Sequence, residues 1–377
     1  MNKLLSSSLL LIFSFAANAQ PSATARNQQA FTIEKTVPVT SIKNQEETGT
    51  CWSFGTTSLV ESQCLKNNIG SLDISEMFTV WNIYIEKAKN YIHRQGHAQF
   101  GEGGLGHDLI RSIAMYGAVP TTIYSGLTNG EKTYDHSKLV AALQQYLDSL
   151  LKSRPIPNNW LEGYKKILDS TLGEPPIEFT YNNKKYTPIS FAKEVLKFNA
   201  ADYVDITSFT DHPYYEPFIL QVPDNFSNGY YYNLPLNEML RCTKDAVENG
   251  YSVMWDTDVS NNGFLQNKGL ALLLSDSTDA DNTSIDAETP EQNWDATKRE
   301  ALYDNLTTED DHLMHIFGIE KSKSGKRFFI VKNSWGDIGP YHGNINVSEA
   351  YFAINTISLV IPKAALSKEL LAKLRLN

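Results

Sequence analysis

Cys51 stands in "GTCWSF", between a Gly-Thr pair and Trp52, and is one of three cysteines in 377 residues. A glycine turn running into a helix sets Cys51 at the positive end of the helix macrodipole, which favours a thiolate over a thiol. Thiolate is the attacking species, and an unperturbed cysteine of pKa ~8.5 supplies little of it at neutral pH. Such a nucleophile needs a histidine to carry its proton, and the histidine needs an orienting group. An arbitrary lone cysteine is more often a small buried hydrophobe. The surroundings of Cys51 are what single it out.

Eight histidines compete for the partner role. His312 and His315 lie in "DDHLMHIFG", at the start of an apolar strand. Strand side chains alternate with period two, so these two face opposite ways and only one can address a given cleft. The next run, "RFFIVKNSWG", ends in Asn333, Ser334 and Trp335. A hairpin across "KSKSG" would set Asn333 beside the start of the preceding strand, where an amide can fix the imidazole ring. Gln45 precedes Cys51 by six residues. Its amide, with the Cys51 N–H, could donate to a developing oxyanion, and one such donor is typically worth ~10²–10³ in rate. The chemistry open to this set is nucleophilic acyl transfer.

These residues need elements to hold them. Lys3, the apolar run Leu4 to Ala16 and "ANA" ending at Ala19 read as an export signal peptide over 1–19. Gln20 follows the cleavage point, which excludes a lipidated cysteine there. Residues 20–39 read as a mobile lead-in. Helices are expected from close to Cys51, across "ISEMFTVWNIYIEKAKNYIHR", and across "HDLIRSIAMYG", making a helical lobe over about 45–128. A Lys/Glu/Leu-rich insertion follows over about 129–200, broken at Pro155 and Pro157. From about 201 to 365 the text turns β-rich, with strands expected in "YSVMWDTDV", "HLMHIFGIEK", "RFFIVKNSW" and "SLVIP". "DSTDADNTSIDAETPEQNWD" reads as a solvated surface loop, without the glycine and closing glutamate of an EF-hand. A C-terminal helix is expected over about 366–377. Helices first and strands second make an α+β fold with a cleft between segregated halves.

Composition narrows the function. The formal net charge is −10 and no Lys/Arg cluster is present, which argues against nucleic acid or anionic lipid as a partner. After the leader no stretch approaches the ~18–20 apolar residues that cross a bilayer. Three cysteines cannot staple the chain, so an ordinary core must hold it, and 17 phenylalanines, 19 tyrosines and 6 tryptophans can supply one. Whether Cys64 pairs with Cys242 is left open. HExxH and zinc-spaced Cys/His pairs are missing, so no metal or cofactor is expected. A GxSxG elbow is missing too.

In order along the chain, "NQEETGTCWSF", "GGLGHDL", "DDHLMHIFG" and "VKNSWG" resemble the motifs of papain-like cysteine peptidases. His312 lies much farther from Cys51 than the ~130–150 residues of ordinary papain-type enzymes. The extra length, with "GGLGHDLIRSIAMYGAVPTTIY", "ADYVDITSF", "NGYSVMWDTDVSNNG" and "VIPKAALSKELL", is similar to the bleomycin hydrolase and aminopeptidase C branch, which carries a large helical insertion. The resemblance covers most of residues 40–370. It implies a papain-like peptidase domain over 40–377, with a helical lobe facing an antiparallel, barrel-like β lobe. On matching positions it implies Cys51 as nucleophile, His312 as general base and acid, Asn333 as its orienting group and Gln45 as oxyanion donor. It implies Trp335 as a shield over the Asn–His bond, and Gly103 and Gly104 as the wall a substrate backbone approaches; a core aromatic and a plain turn are the alternatives there. A peptide substrate and a homo-oligomer are implied as well.

The chain departs from that branch in two places. The branch is typically cytosolic, whereas this chain opens on an export signal, pointing to a periplasmic or secreted protein. In the branch the chain's own C-terminal tail lies in the cleft and captures the substrate's amino terminus. Here "SKELLAKLRLN" reads as an amphipathic helix running almost to Asn377. The function expected is an exported cysteine peptidase, an aminopeptidase on short peptides. The alternatives are an open-cleft endopeptidase and an inactive peptide-binding relative.

Overall fold

The computed structural model describes residues 30–128, 130–275, 278 and 284–376. The signal peptide, part of the lead-in and much of the acidic loop lie outside those residues. The chain runs β1 (Phe31–Thr36), α1 (Cys51–Lys66), α2 (Glu76–His93), α3 (Gly106–Tyr116), α4 (Ser137–Lys152) and α5 (Trp160–Leu172). It continues through β2 (Phe179–Tyr181), β3 (Lys184–Tyr186), α6 (Pro188–Glu194), β4 (Tyr203–Thr207), β5 (Pro217–Ile219), β6 (Tyr230–Asn233) and α7 (Leu236–Glu248). Then come β7 (Val253–Thr257), β8 (Phe264–Leu265), β9 (Leu270–Ala271), α8 (Ala296–Asp304), β10 (His312–Ser322) and β11 (Arg327–Lys332). It closes with β12 (Asn344–Ser348), α9 (Glu349–Asn355), β13 (Thr356–Pro362) and α10 (Lys368–Lys373). Among the described residues no helix is long and apolar enough to cross a membrane.

Local chemistry sets the helix limits. Ser75 accepts from the Phe78 N–H and starts α2; Gly117, at φ 84°, ends α3. α1 is buried on all sides, and its run of small residues lets it lie close against the sheet. α4 buries Leu139, Leu143 and Leu147, and α5 buries Tyr164, Leu168 and Leu172. The two helices make the insertion, together with a hairpin, β2–β3, that the sequence pattern did not suggest. Its turn residues Asn182 and Asn183 both have positive φ, 47° and 62°, as a two-residue hairpin turn requires.

Eleven strands form one sheet, in the order β5-β6-β4-β13-β7-β10-β11-β12-β9-β8, with β1 pairing β10 as well. This corrects two expectations. The sheet is mixed, because β4 runs parallel to β6 and β12 parallel to β9. It is also open: its end strands β5 and β8 do not pair among the described residues, so there is no closed barrel. Residues 31–36 of the expected mobile lead-in form β1, an edge strand beside β10.

The sheet separates two cores. Met254, Leu313 and Val360 face the helices α1 to α6, while Val253, Trp255, Met314 and Leu359 face a second core with α7, α9 and α10. Neighbouring residues on one strand go to opposite cores, which is the period-two alternation of a sheet covered on both faces. α1 and β10 touch closely enough that a Cβ on Gly55 would lie 3.0 Å from the Leu313 carbonyl oxygen. That contact carries the start of α1 to the start of β10, and so Cys51 to His312.

Candidate active site

Cys51 is the first residue of α1, entered by a loop that closes on itself. Gln45 Nε2 donates to the Thr48 carbonyl at 2.7 Å, and Thr48 Oγ1 donates to the Gln45 carbonyl at 2.8 Å. Ser334 Oγ donates to Gln45 Oε1 at 2.6 Å. With Oε1 and one N–H used, the second N–H of Gln45 is left for the cleft that Gln45 lines. The glycine wall is tied to the same loop: Gly49 N–H donates to Glu102 Oε2 at 2.7 Å, and Trp52 Nε1 to the Glu102 carbonyl at 3.0 Å. Buried Lys87 donates to the carbonyls of Gly101 and Gly103, bracing the wall from behind.

The β10–β11 hairpin pairs His315 with Lys332, which brings Asn333 level with the start of β10. His312 Nε2 donates to Asn333 Oδ1 at 2.7 Å. The Ser334 N–H donates to the same oxygen at 2.7 Å, and Asn333 Nδ2 donates to Gln266 Oε1 at 2.9 Å. Those bonds fix the amide with its oxygen toward the ring, so Nδ1 is the nitrogen left to take a proton. The Trp335 ring lies over the imidazole, 4.7 Å between centroids and tilted 30°. The Leu313 N–H, next in chain to His312, reaches the Cys51 thiol.

Six of the seven residues singled out by sequence line one cavity of about 290 Å³: Gln45, Cys51, Gly103, Gly104, His312 and Trp335. Asn333 stands behind His312. A larger groove, about 870 Å³ beside Trp294, holds none of them. His315 does not line the cleft. Its Nδ1 meets Ser58 Oγ at 2.9 Å, and burial, then the Lys332 charge, push its pKa well down. Cys64 and Cys242 are both free thiols.

The electrostatics differ from the sequence expectation. Burial is the largest effect on Cys51 and pushes its thiol pKa up; the Leu313 N–H opposes this, while Asp310, Asp224 and Asp256 reinforce it. Burial also lowers the His312 pKa, against the Asn333 bond and Asp311. Desolvation thus opposes charge on both groups before substrate is bound. Sequence reasoning missed Gln266, Lys87, Glu102, Asp224 and Asp256. Asp310 was visible in the doublet before His312, but nothing local marks Gln266 or Asp256, whose partners come from distant segments.

Comparison with known proteins shows the family and the fold. Residues 98–377 match the Peptidase C1-like family, and residues 27–80 match the papain family cysteine proteases. Aminopeptidase G of Lactobacillus delbrueckii subsp. lactis is 24% identical, over 88% of this chain and 83% of its own length. Aminopeptidase W of the same organism is 24% identical over 94% and 88%. The crystal structure of PepW from Lactobacillus rhamnosis HN001 superposes with a TM-score of 0.70 at 21% identity, covering 91% of this chain and 84% of that one, which shows the fold. Most of the chain is thus accounted for by one match, and it belongs to the Peptidase C1-like family, among the papain-like cysteine peptidases.

Proposed function

We propose that this chain is an aminopeptidase that hydrolyses the first peptide bond of short peptides, with Cys51 as nucleophile, His312 as proton carrier and Asn333 as the group that orients it. The observation that carries the reading is the His312–Asn333 bond beside a cysteine at a helix start, in one small cavity. The aminopeptidase names of the relatives support the exopeptidase part.

The steps are those of acyl transfer through a thiolate. As substrate binds, the Cys51 proton passes to His312 Nδ1 and the sulfur attacks the carbonyl carbon. The oxyanion faces Gln45 Nε2–H and the Cys51 N–H, whose position at the first turn leaves it without an acceptor in the helix. The tetrahedral adduct collapses, the C–N bond breaks, and His312 gives its proton to the leaving amine. Water then attacks the thioester as His312 takes a proton from it; the acid leaves and the thiol is restored.

Labelling and turnover test this together. Iodoacetamide should modify Cys51 and abolish cleavage of aminoacyl-coumarin amides, and Cys51→Ala should lower kcat/KM by ~10⁴-fold or more. Retained hydrolysis in that variant would refute the mechanism. Export is the second part of the proposal, supported by the run Leu4 to Ala16 and the small residues ending at Ala19; mass spectrometry of the secreted protein should find a chain beginning at Gln20. Homo-oligomerisation rests on the resemblance alone, and light scattering on the purified protein reads it.

A further inference from the structure

We propose that the carboxylates of Asp310 and Asp224 in the cleft wall receive the α-ammonium group of the peptide substrate, and so confine cleavage to the first bond. This rests on the aminopeptidase reading and says which atoms enforce it.

Reach comes first. The α-nitrogen of a peptide is two bonds from its first carbonyl carbon, about 2.5 Å away. Any group that reads the ammonium must therefore stand in the same small space as the attacking sulfur. Asp224 and Asp310 both line the cavity that holds Cys51 and His312.

Asp224 is held there by construction. Asn225 ties its loop together, with Nδ2 donating to the Leu220 carbonyl at 2.8 Å and Oδ1 accepting from the Gly229 N–H at 2.7 Å. Ser227 Oγ donates to Asp108 Oδ1 at 2.8 Å and meets His107 Nε2 at 2.7 Å, which fastens the loop to α3. The carboxylate then packs on Gly103, where a Cβ would fall 1.7 Å from Asp224 Oδ2. Gln99 Nε2 is the donor it receives, at 3.2 Å. The neighbouring cation Lys87 directs its N–H groups to glycine carbonyls instead.

Asp256 supplies an independent sign. It is wholly buried behind Asp310, with Oδ2 accepting from Ser358 Oγ at 2.8 Å and Oδ1 receiving no donor from the described protein N–H and O–H groups. Its carboxyl lies beside that of Asp310, whose pKa is pushed well up by burial and then by the Asp256 charge. The nearby Arg299 guanidinium does not neutralise them; its bonds go to the carbonyls of Ser208, Ala353 and Ile354. Adjacent buried carboxylates are costly to charge together, and a cation placed at Asp310 relieves that cost. Among the described residues no group of three or more His, Cys, Asp or Glu is arranged to hold a metal ion. An ammonium, which needs no such shell, fits. It would also offset the negative charge that opposes thiolate formation at Cys51, so the substrate's own amino terminus would ease its attack.

The test uses the full chain and three coumarin amides: alanyl, propionyl (the same acyl group without the amine), and an N-blocked arginyl-alanyl dipeptide. Wild type should prefer alanyl over propionyl, and Asp310→Asn and Asp224→Asn should each shrink that preference by ~10-fold or more, chiefly through KM. Iodoacetamide labelling of Cys51, with buried Cys64 and Cys242 left unmodified, reports a folded cleft in each variant, and the half-buried Asp224 gives the second variant should Asp310→Asn not fold. A wild-type preference that both variants leave intact overturns the anchor while the aminopeptidase reading stands. Absence of the preference in wild type overturns the reading and the anchor together. Preference for the blocked arginyl peptide, lost in Asp310→Asn, would show the carboxylates reading a basic side chain and also overturns the proposal.

Discussion

One oxygen of Asn333 serves two donors, the His312 ring and the Ser334 N–H. In Asn333→Ala the buried Nε2–H loses its acceptor, which costs about 1–3 kcal/mol. The ring is then free to turn, and kcat should fall by ~10–100-fold while Cys51 still reacts with iodoacetamide. Steady-state kinetics beside an alkylation time course would show it, and an unchanged kcat would remove Asn333 from the mechanism. At this scale the sequence was informative where residue type and local context coincide. Cys51 follows a glycine turn, and Asn333 follows an apolar run next to another that begins with histidine. It was silent on Gln266, which comes from a separate loop to hold Asn333 by its amide. A helix terminus is legible in a string of residues, whereas the desolvation that opposes its effect on the thiol is not.

Between residue and molecule stands the α1–β10 contact. Gly55 faces main-chain atoms, with a Cβ falling 3.0 Å from the Leu313 oxygen and 3.2 Å from the Met314 nitrogen. Backbone of a central strand, paired on both edges, has little room to yield. Gly55→Ala should therefore push α1 off the sheet, costing about 1–3 kcal/mol. Since the same shift draws Cys51 from His312, kcat should fall more than the loss of folded protein explains, as thermal melts and turnover on one sample would reveal. Long elements such as α2, β10 and β11 were readable because α2 carries a helical pattern and the two strands are continuous apolar runs, buried on both faces. The short strands were not: β8 and β9 have two residues each and are set by partners far along the chain. β1 was missed because most of it is exposed, so its polar text gives no core-facing pattern.

For the whole molecule, the question is what closes the cleft. A C-terminal helix was legible in "SKELLAKLRLN", though it spans Lys368–Lys373 rather than about 366–377; its destination was not, since an amphipathic pattern does not say which core it covers. Ser367 caps α10 through the Leu370 N–H at 3.1 Å, and Leu370 and Leu374 are buried in the core shared with α7. Lys373 reaches Glu238 at 3.3 Å. Residues 367–376 are thus occupied on the second core and do not line the cavity at Cys51. Deleting 367–377 should destabilise the fold by several kcal/mol, at about 1.5–3 kcal/mol for each buried leucine. Among molecules that remain folded, the preference for alanyl over propionyl amide should be unchanged, because the proposed anchors stay in the wall. Chemical denaturation gives the first quantity and the ratio of kcat/KM values gives the second. Were the ratio to collapse on deletion, the amino terminus of the substrate would be read by the tail, and Asp224 and Asp310 would have to be assigned another task.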